Sequence, residues 1–382
     1  MNDSRNPTDH LSRRGFLGSL SLAAGATGIL GAMSPALYAQ NATPGAGFQP
    51  PQKPPLANVA GKTAYVTGAS SGIGLGIARA CYDAGMNVII GYIDDRQVDE
   101  ALSFFADKSR VMAIKHDVTD RPGWDRLVVE AEKRFRRVHL LVNNAGVGLF
   151  ATVSKGSFND FDWGMAVNVT GVFNGIHTFV PRMLEYGEGA HIATTSSMSG
   201  ILPGATAGIY TTSKFATCGM MEALRVELQA TNIGTSVFLP GGVNTNIRDT
   251  ERNRPEQFRN AAAGTQPPRP ATPPPAAAAG APPSAARSDS GQSGGMSAAM
   301  DPLEAGRSVL HGVRRNDLFI FSHPEFKEGI RERFDAVLAS VPVGRVVPQE
   351  RLAIERVTMR VPLYAAESAR LQADPVGPLP KV

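Results

Sequence analysis

Cysteine is nearly absent from this chain. Cys81 and Cys218 are the only two in 382 residues. They fall in segments that read as different helices, so both read as free buried thiols rather than a disulfide. Neither has a Cys or His partner at metal-ligand spacing, so the pattern holds no metal site. An excess of one charge is lacking too. Lys and Arg number 38 against 34 Asp and Glu, a net charge of +4. No basic run or aromatic-interleaved basic stripe appears, which argues against nucleic acid as a partner. No internal repeat is visible. Hydrophobic residues make up 42% and charged residues 19%. That composition supports a substantial core, and the length fits one large α/β domain or two small ones.

Charge of either sign is missing between Arg14 and Lys53. This stretch follows Ser12-Arg13-Arg14-Gly15-Phe16-Leu17, and the whole resembles a twin-arginine export signal: a basic start, then an apolar run. Residues 1–39 are therefore expected to be an export signal read by the twin-arginine machinery, with a periplasmic destination. Cleavage is expected near Ala39, although Leu37 stands where a small residue is usual. The alternative is an uncleaved membrane tether, which the Gly and Ser content makes weakly hydrophobic. Residues 40–58, rich in Pro, Gly, Ala and Gln, read as a linker.

From residue 59 short apolar runs alternate with helical patterns. Lys62–Thr67, Asn87–Gly91, Arg110–Ile114, His139–Val142, Ala190–Thr194 and Thr235–Leu239 read as strands. Helices are predicted to about Ala84, over 96–108, after an N-cap at Asp120, over about 160–186 and over 208–230. The alternation argues a parallel sheet covered on both faces. The pattern breaks at about 261–299, where eight prolines lie between Pro267 and Pro283; such a segment cannot build a packed core. A helix start at Asp301, a strand at Asp317–Phe321 and an amphipathic helix at 325–340 follow. The domain is placed at 59–342 and a C-terminal extension, without assigned structure, at 343–382.

Two features carry chemistry. Thr67-Gly-Ala-Ser-Ser-Gly-Ile-Gly74 joins the first strand to the first helix. A helix N-terminus offers free N–H groups and partial positive charge, which suit a pyrophosphate. Tyr210 and Lys214 stand four residues apart, on one face of a helix. A free phenol titrates near 10, too high for a base at neutral pH, and lowering it by roughly three units takes about 4 kcal/mol. One ammonium about 4 Å away supplies about that much at an effective dielectric of 20. Lys214 alone is thus expected to suffice.

The ordered set Thr67-Gly-x-x-x-Gly72-Ile-Gly74, Asn143-Asn144-Ala145-Gly146, Ser197, Tyr210-x-x-x-Lys214 and Pro240-Gly241 resembles the short-chain dehydrogenase/reductase superfamily. The resemblance spans about 59–250 and resumes at about 300–340. It implies a Rossmann-type, doubly wound α/β fold with a seven-stranded, mostly parallel sheet and helices on both faces. It implies a hydride-transferring oxidoreductase that interconverts a secondary alcohol and a carbonyl, with NAD or NADP as cofactor. Tyr210 would exchange the proton, Lys214 would lower the Tyr210 pKa and hold the nicotinamide ribose, and Ser197 would hold the substrate oxygen. Asn168 would support a water that relays protons to Lys214. The cofactor would touch Gly68, Ser70, Ser71, Gly72, Ile73, Gly74, Asp117, Val118, Asn144, Ala145, Gly146, Pro240, Gly241, Val243 and Thr245, besides Tyr210 and Lys214. A homodimer or tetramer built on the helices at 160–186 and 208–230 is also implied.

The resemblance leaves choices open. An acid ending the second strand would bind a ribose 2′-OH, and a nearby arginine a 2′-phosphate. Here Tyr92 takes the place of that acid, Asp94 and Asp95 come two residues late, and Arg96 follows. The Pro/Ala-rich segment falls where the family carries its substrate lid. It reads either as an inert insertion, which loop entropy tolerates, or as an element that loosens the lid or binds a partner. An exported enzyme would need a tightly held cofactor, which keeps an epimerase or isomerase in view. A non-catalytic dinucleotide-binding protein is the third reading, but it would not need the Asn/Ser/Tyr/Lys set.

Overall fold

A computed structural model describes residues 52–260, 299–358 and 362–379. The expected export signal and nearly all of the Pro/Ala-rich segment lie outside these residues. The chain divides into two units. Of the smaller, residues 347–358 are described, and they carry the helix Gln349–Thr358. All that follows concerns the larger.

Seven strands form one sheet: β1 (Thr63–Val66), β2 (Asn87–Tyr92), β3 (Val111–Lys115), β4 (Leu140–Asn143), β5 (Ala190–Thr195), β6 (Ile233–Leu239) and β7 (Phe319–Phe321). Their order is β3-β2-β1-β4-β5-β6-β7 and every pairing is parallel. The inner strands β2, β1, β4, β5 and β6 are buried on both faces, as in other parallel sheets. Successive side chains feed opposite cores. Tyr65 packs with Trp124, Phe179 and Met221 on one face, while Ala64 and Val66 pack with Ile77, Phe238 and Val309 on the other.

The helices are α1 (Gly72–Asp83), α2 (Val98–Ser103), α3 (Arg121–Phe135), α4 (Phe158–Met165), α5 (Gly171–Tyr186), α6 (Gly208–Glu227), α7 (Pro302–Arg315) and α8 (Lys327–Ala339). Helices α3, α5 and α6 cover the first face, and α1 and α7 the second. The long helix predicted over 160–186 is interrupted by a π-helical turn at Ala166–Thr170. The helix predicted over 96–108 shortens to α2, flanked by tight turns at Asp95–Gln97 and Lys108–Arg110. Asp120 does sit at the N-cap of α3, but its side chain caps nothing and pairs with Arg126 at 2.7 Å.

Residues outside the 59–342 span also pack on the sheet. Leu56 is buried, and Gln52 Nε2 donates to Thr231 O at 2.7 Å. A C-terminal helix, Leu363–Ala373, is fixed by Glu367, which accepts from Leu318 N at 2.9 Å, and by Arg370, 2.6 Å from Asp317. No described helix is long and apolar enough to cross a membrane.

The strand order reverses direction between β1 and β4. In open α/β sheets the crevice at the carboxyl ends of such a pair is where ligands bind.

Candidate active site

A cavity of about 430 Å³ opens at that crevice. Its floor at one end is the turn from β1 to α1. Gly68 and Gly72 take positive φ there, 61° and 54°. Helix α1 has no side-chain cap and no acid in its first turn, so its leading N–H groups keep their charge for a ligand anion. Thr67 Oγ1 accepts from Asn144 N at 2.8 Å and Ala145 N at 2.9 Å, joining the ends of β1 and β4. Asn144 extends the tie. Its Nδ2 donates to Thr67 O at 3.1 Å and its Oδ1 accepts from Thr195 Oγ1 at 3.1 Å, on β5. Every residue expected to touch the cofactor lines this cavity except Gly74. Gly74 serves packing instead: a Cβ there would stand 2.3 Å from Gly68 O.

Ser197, Tyr210 and Lys214 line the same cavity. Helix α6 carries the last two, and its packing against the end of β5 sets their depth. Lys214 is buried and its Nζ donates to Thr195 O at 3.0 Å. Nζ lies 5.4 Å from the centre of the Tyr210 ring. Ser197 Oγ accepts from Ser199 N at 3.1 Å, which leaves its own proton free to donate.

Asn168 lies in the π-helical turn, fully buried, and does not line the cavity. Its Oδ1 accepts from Val147 N at 2.8 Å. Its Nδ2 donates to Val147 O and to Ser213 Oγ, both at 3.0 Å. Both amide hydrogens are thus engaged, and the side chain ties the loop after β4 to α6.

Phe150, Trp163 and Phe258 wall the far end, with Phe150 5.6 Å from the Tyr210 ring, centre to centre. The segment after β6 closes this end. Thr250 Oγ1 accepts from Gly148 N at 3.1 Å. Arg254 is buried and bonds Asp160, Glu251 and the carbonyl of Phe258. At the opposite end, Asp94 accepts from Arg96 N at 3.1 Å and from its Nε and Nη2, both at 2.8 Å. Asp94 lines the cavity and Arg96 does not.

The short chain dehydrogenase family model matches residues 62–256. The chain belongs to this family. It is 32% identical over 282 residues to the C alpha-dehydrogenase of Sphingobium sp. (strain NBRC 103272 / SYK-6), covering 73% of this chain and 86% of that one. Among solved structures it resembles a short-chain dehydrogenase/reductase from Burkholderia phymatum in complex with NAD, with a TM-score of 0.62 and 29% identity. That match covers 76% of this chain and 99% of the other. LigO from Sphingobium sp. strain SYK-6, in apo form, gives a TM-score of 0.57 at 32% identity, over 84% of this chain and 99% of the other. The chain is therefore an NAD(P)-dependent oxidoreductase.

Burial dominates the electrostatics of the site in this short-chain dehydrogenase. Burial pushes Tyr210 above its ordinary pKa, with the Ser197 hydroxyl pulling the other way. Burial also pushes Lys214 down, to about 8. The largest influence on Tyr210 in the unliganded fold is thus burial. The Lys214 ammonium is aimed at Thr195 O, and desolvation favours the neutral form of both groups. Sequence reasoning also missed Phe150, Trp163, Phe258 and the Arg254 anchor. The Ser157–Asp160 capping box was a readable signal for the start of α4, and hence for Trp163 one turn on. No local signal marks Arg254.

Proposed function

We propose that this dehydrogenase interconverts a secondary alcohol and a ketone or aldehyde by hydride transfer, with Tyr210 exchanging the proton. The observation that carries this is one cavity with an uncapped helix N-terminus at one end and Ser197, Tyr210 and Lys214 at the other. A nicotinamide held at this cavity would supply or take up the hydride. In the reducing direction the Tyr210 hydroxyl gives its proton to the carbonyl oxygen. Ser197 Oγ–H donates to the same oxygen and stabilises the charge developing there. Lys214, with one N–H on Thr195 O, keeps two for the ribose hydroxyls and the phenol. The buried, neutral phenol suits proton donation. In the oxidising direction the Lys214 ammonium would favour the Tyr210 phenolate that takes the alcohol proton. The aromatic wall gives the reacting atoms an apolar border on that side. The test is turnover of a panel of ketones and alcohols by wild type and Tyr210→Phe.

NAD is the preferred cofactor in this reading, because Asp94 faces the cavity and occupies the guanidinium of Arg96. The twin-arginine segment supports export of the folded, cofactor-loaded enzyme to the periplasm. Cell fractionation tests this, with membrane retention pointing to an uncleaved tether and a cytoplasmic pool contradicting both. The exposed side chains of Phe161, Phe173 and Leu184, in the span Phe158–Tyr186, support a homo-oligomer, which light scattering tests.

A further inference from the structure

We infer that His323 is a positioning residue for the Pro240–Gly242 turn, acting as a neutral imidazole with its proton on Nε2. The inference rests on reading the cavity as the dinucleotide site. Pro240, Gly241 and Gly242 line that cavity where β6 ends; His323, two residues beyond β7, does not. Gly241 N–H donates to His323 Nδ1 at 3.0 Å. His323 Nε2 lies 3.2 Å from Gly242 O. A backbone N–H requires an unprotonated Nδ1, and a carbonyl requires Nε2–H, so the two contacts together select one tautomer. Ser322 Oγ, 2.8 Å from Nδ1, is placed as a second donor to the same lone-pair side.

The imidazole therefore grips the N–H of one glycine and the C=O of the next. Those two groups set the plane of the peptides against which a nicotinamide would rest. Packing agrees with hydrogen bonding. A Cβ on Gly241 would stand 2.8 Å from His323 Cγ and 2.7 Å from Phe326 Cε2, so glycine is what lets both rings approach the backbone. The opposite edge of the turn is bonded toward the catalytic groups: Pro240 O accepts from Met198 N at 2.9 Å, and Met198 follows Ser197. Gly242 O also accepts from Met300 N at 3.0 Å. His323 thus fixes the turn from outside, and the turn in turn borders Ser197.

The test compares His323→Phe, which keeps an aromatic ring against Gly241 but loses both bonds, with His323→Asn, whose Oδ1 can take the place of Nδ1. NADH and NADPH affinities are measured by fluorescence titration of the full chain, beside kcat, KM and thermal unfolding. A turn released from this clamp predicts about a tenfold weaker Kd for the bound dinucleotide in the Phe variant. The unfolding midpoint should fall by no more than about the few degrees that loss of two hydrogen bonds produces, and the Asn variant should recover most of the affinity. Unchanged affinity in the Phe variant, or equal loss in both variants, overturns the role of His323. Failure of the wild type to bind either dinucleotide overturns the reading of the cavity itself, and the inference with it. Should the Phe variant not fold, ring ¹⁵N shifts of His323 in the wild type decide the matter. An unprotonated Nδ1 is expected, and a protonated one contradicts the clamp.

Discussion

Arg254 lays its guanidinium over the indole of Trp163, 4.4 Å from the ring centre, and bonds Asp160 at 2.8 Å with the same group. Both Glu251 oxygens lie 2.6 Å from it. One side chain thus holds the segment after β6 onto α4 and presents the aromatic wall to the cavity. Replacing Arg254 by Met leaves Asp160 without its buried partner. Removing one member of such a pair costs about 3 kcal/mol, read as a lower denaturation midpoint. The KM for the carbonyl substrate should rise several-fold while NADH affinity holds, since the contact lies at the substrate end. Loss of both affinities together would show that the segment supports the whole cavity.

Asp94 decides whether Arg96 is free. Arg96 is largely exposed, and its guanidinium is held by that one carboxylate. Asp94→Ser should release it, weakening NADH and strengthening NADPH, with a combined change of about tenfold or more in their affinity ratio. Adding Arg96→Ala should erase the NADPH gain. An unchanged ratio in the single variant would place discrimination elsewhere in the cavity.

Lys214 gives the unliganded enzyme a pH dependence with a definite sign. Its pKa in the fold is about 8 against a usual 10.5. The unfolded chain therefore binds more protons than the native one between those values, and unfolding free energy rises with pH across that window. Burying the ammonium costs stability below pH 8, by about 3 kcal/mol at most. Lys214→Met should be more stable than wild type at neutral pH, and the advantage should shrink as pH climbs above 8. For activity the sign is opposite: kcat/KM of the wild type for carbonyl reduction should fall above about pH 8, as the ammonium is lost from free enzyme. A flat stability difference would mean Lys214 keeps its charge in the fold.

Much of the fold was legible because its signals are local. The turn from Gly68 to Gly74 sits between a strand and a helix in sequence and in space, and the apolar runs mark all seven strands to within a few residues. Tyr210 and Lys214 share one helix, so their spacing places them together. What was not legible depends on long-range partners. Arg254 reaches Asp160 across 94 positions, and Gly241 meets His323 across 82. Nothing near Asn168 in sequence announces that Val147 and Ser213 engage its amide. The i,i+4 spacing gives proximity of Tyr210 and Lys214, whereas their burial and the Lys214 bond to Thr195 are set by the packed sheet.

The most direct measurement sets wild type beside Tyr210→Phe for NADH affinity and for single-turnover reduction of a ketone that the wild type accepts. Removing the proton donor while leaving the cavity intact predicts NADH affinity within about threefold and a hydride-transfer rate lower by roughly 10²–10⁴-fold. Comparable single-turnover rates in the two proteins would contradict the account, because the proton would then come from another group.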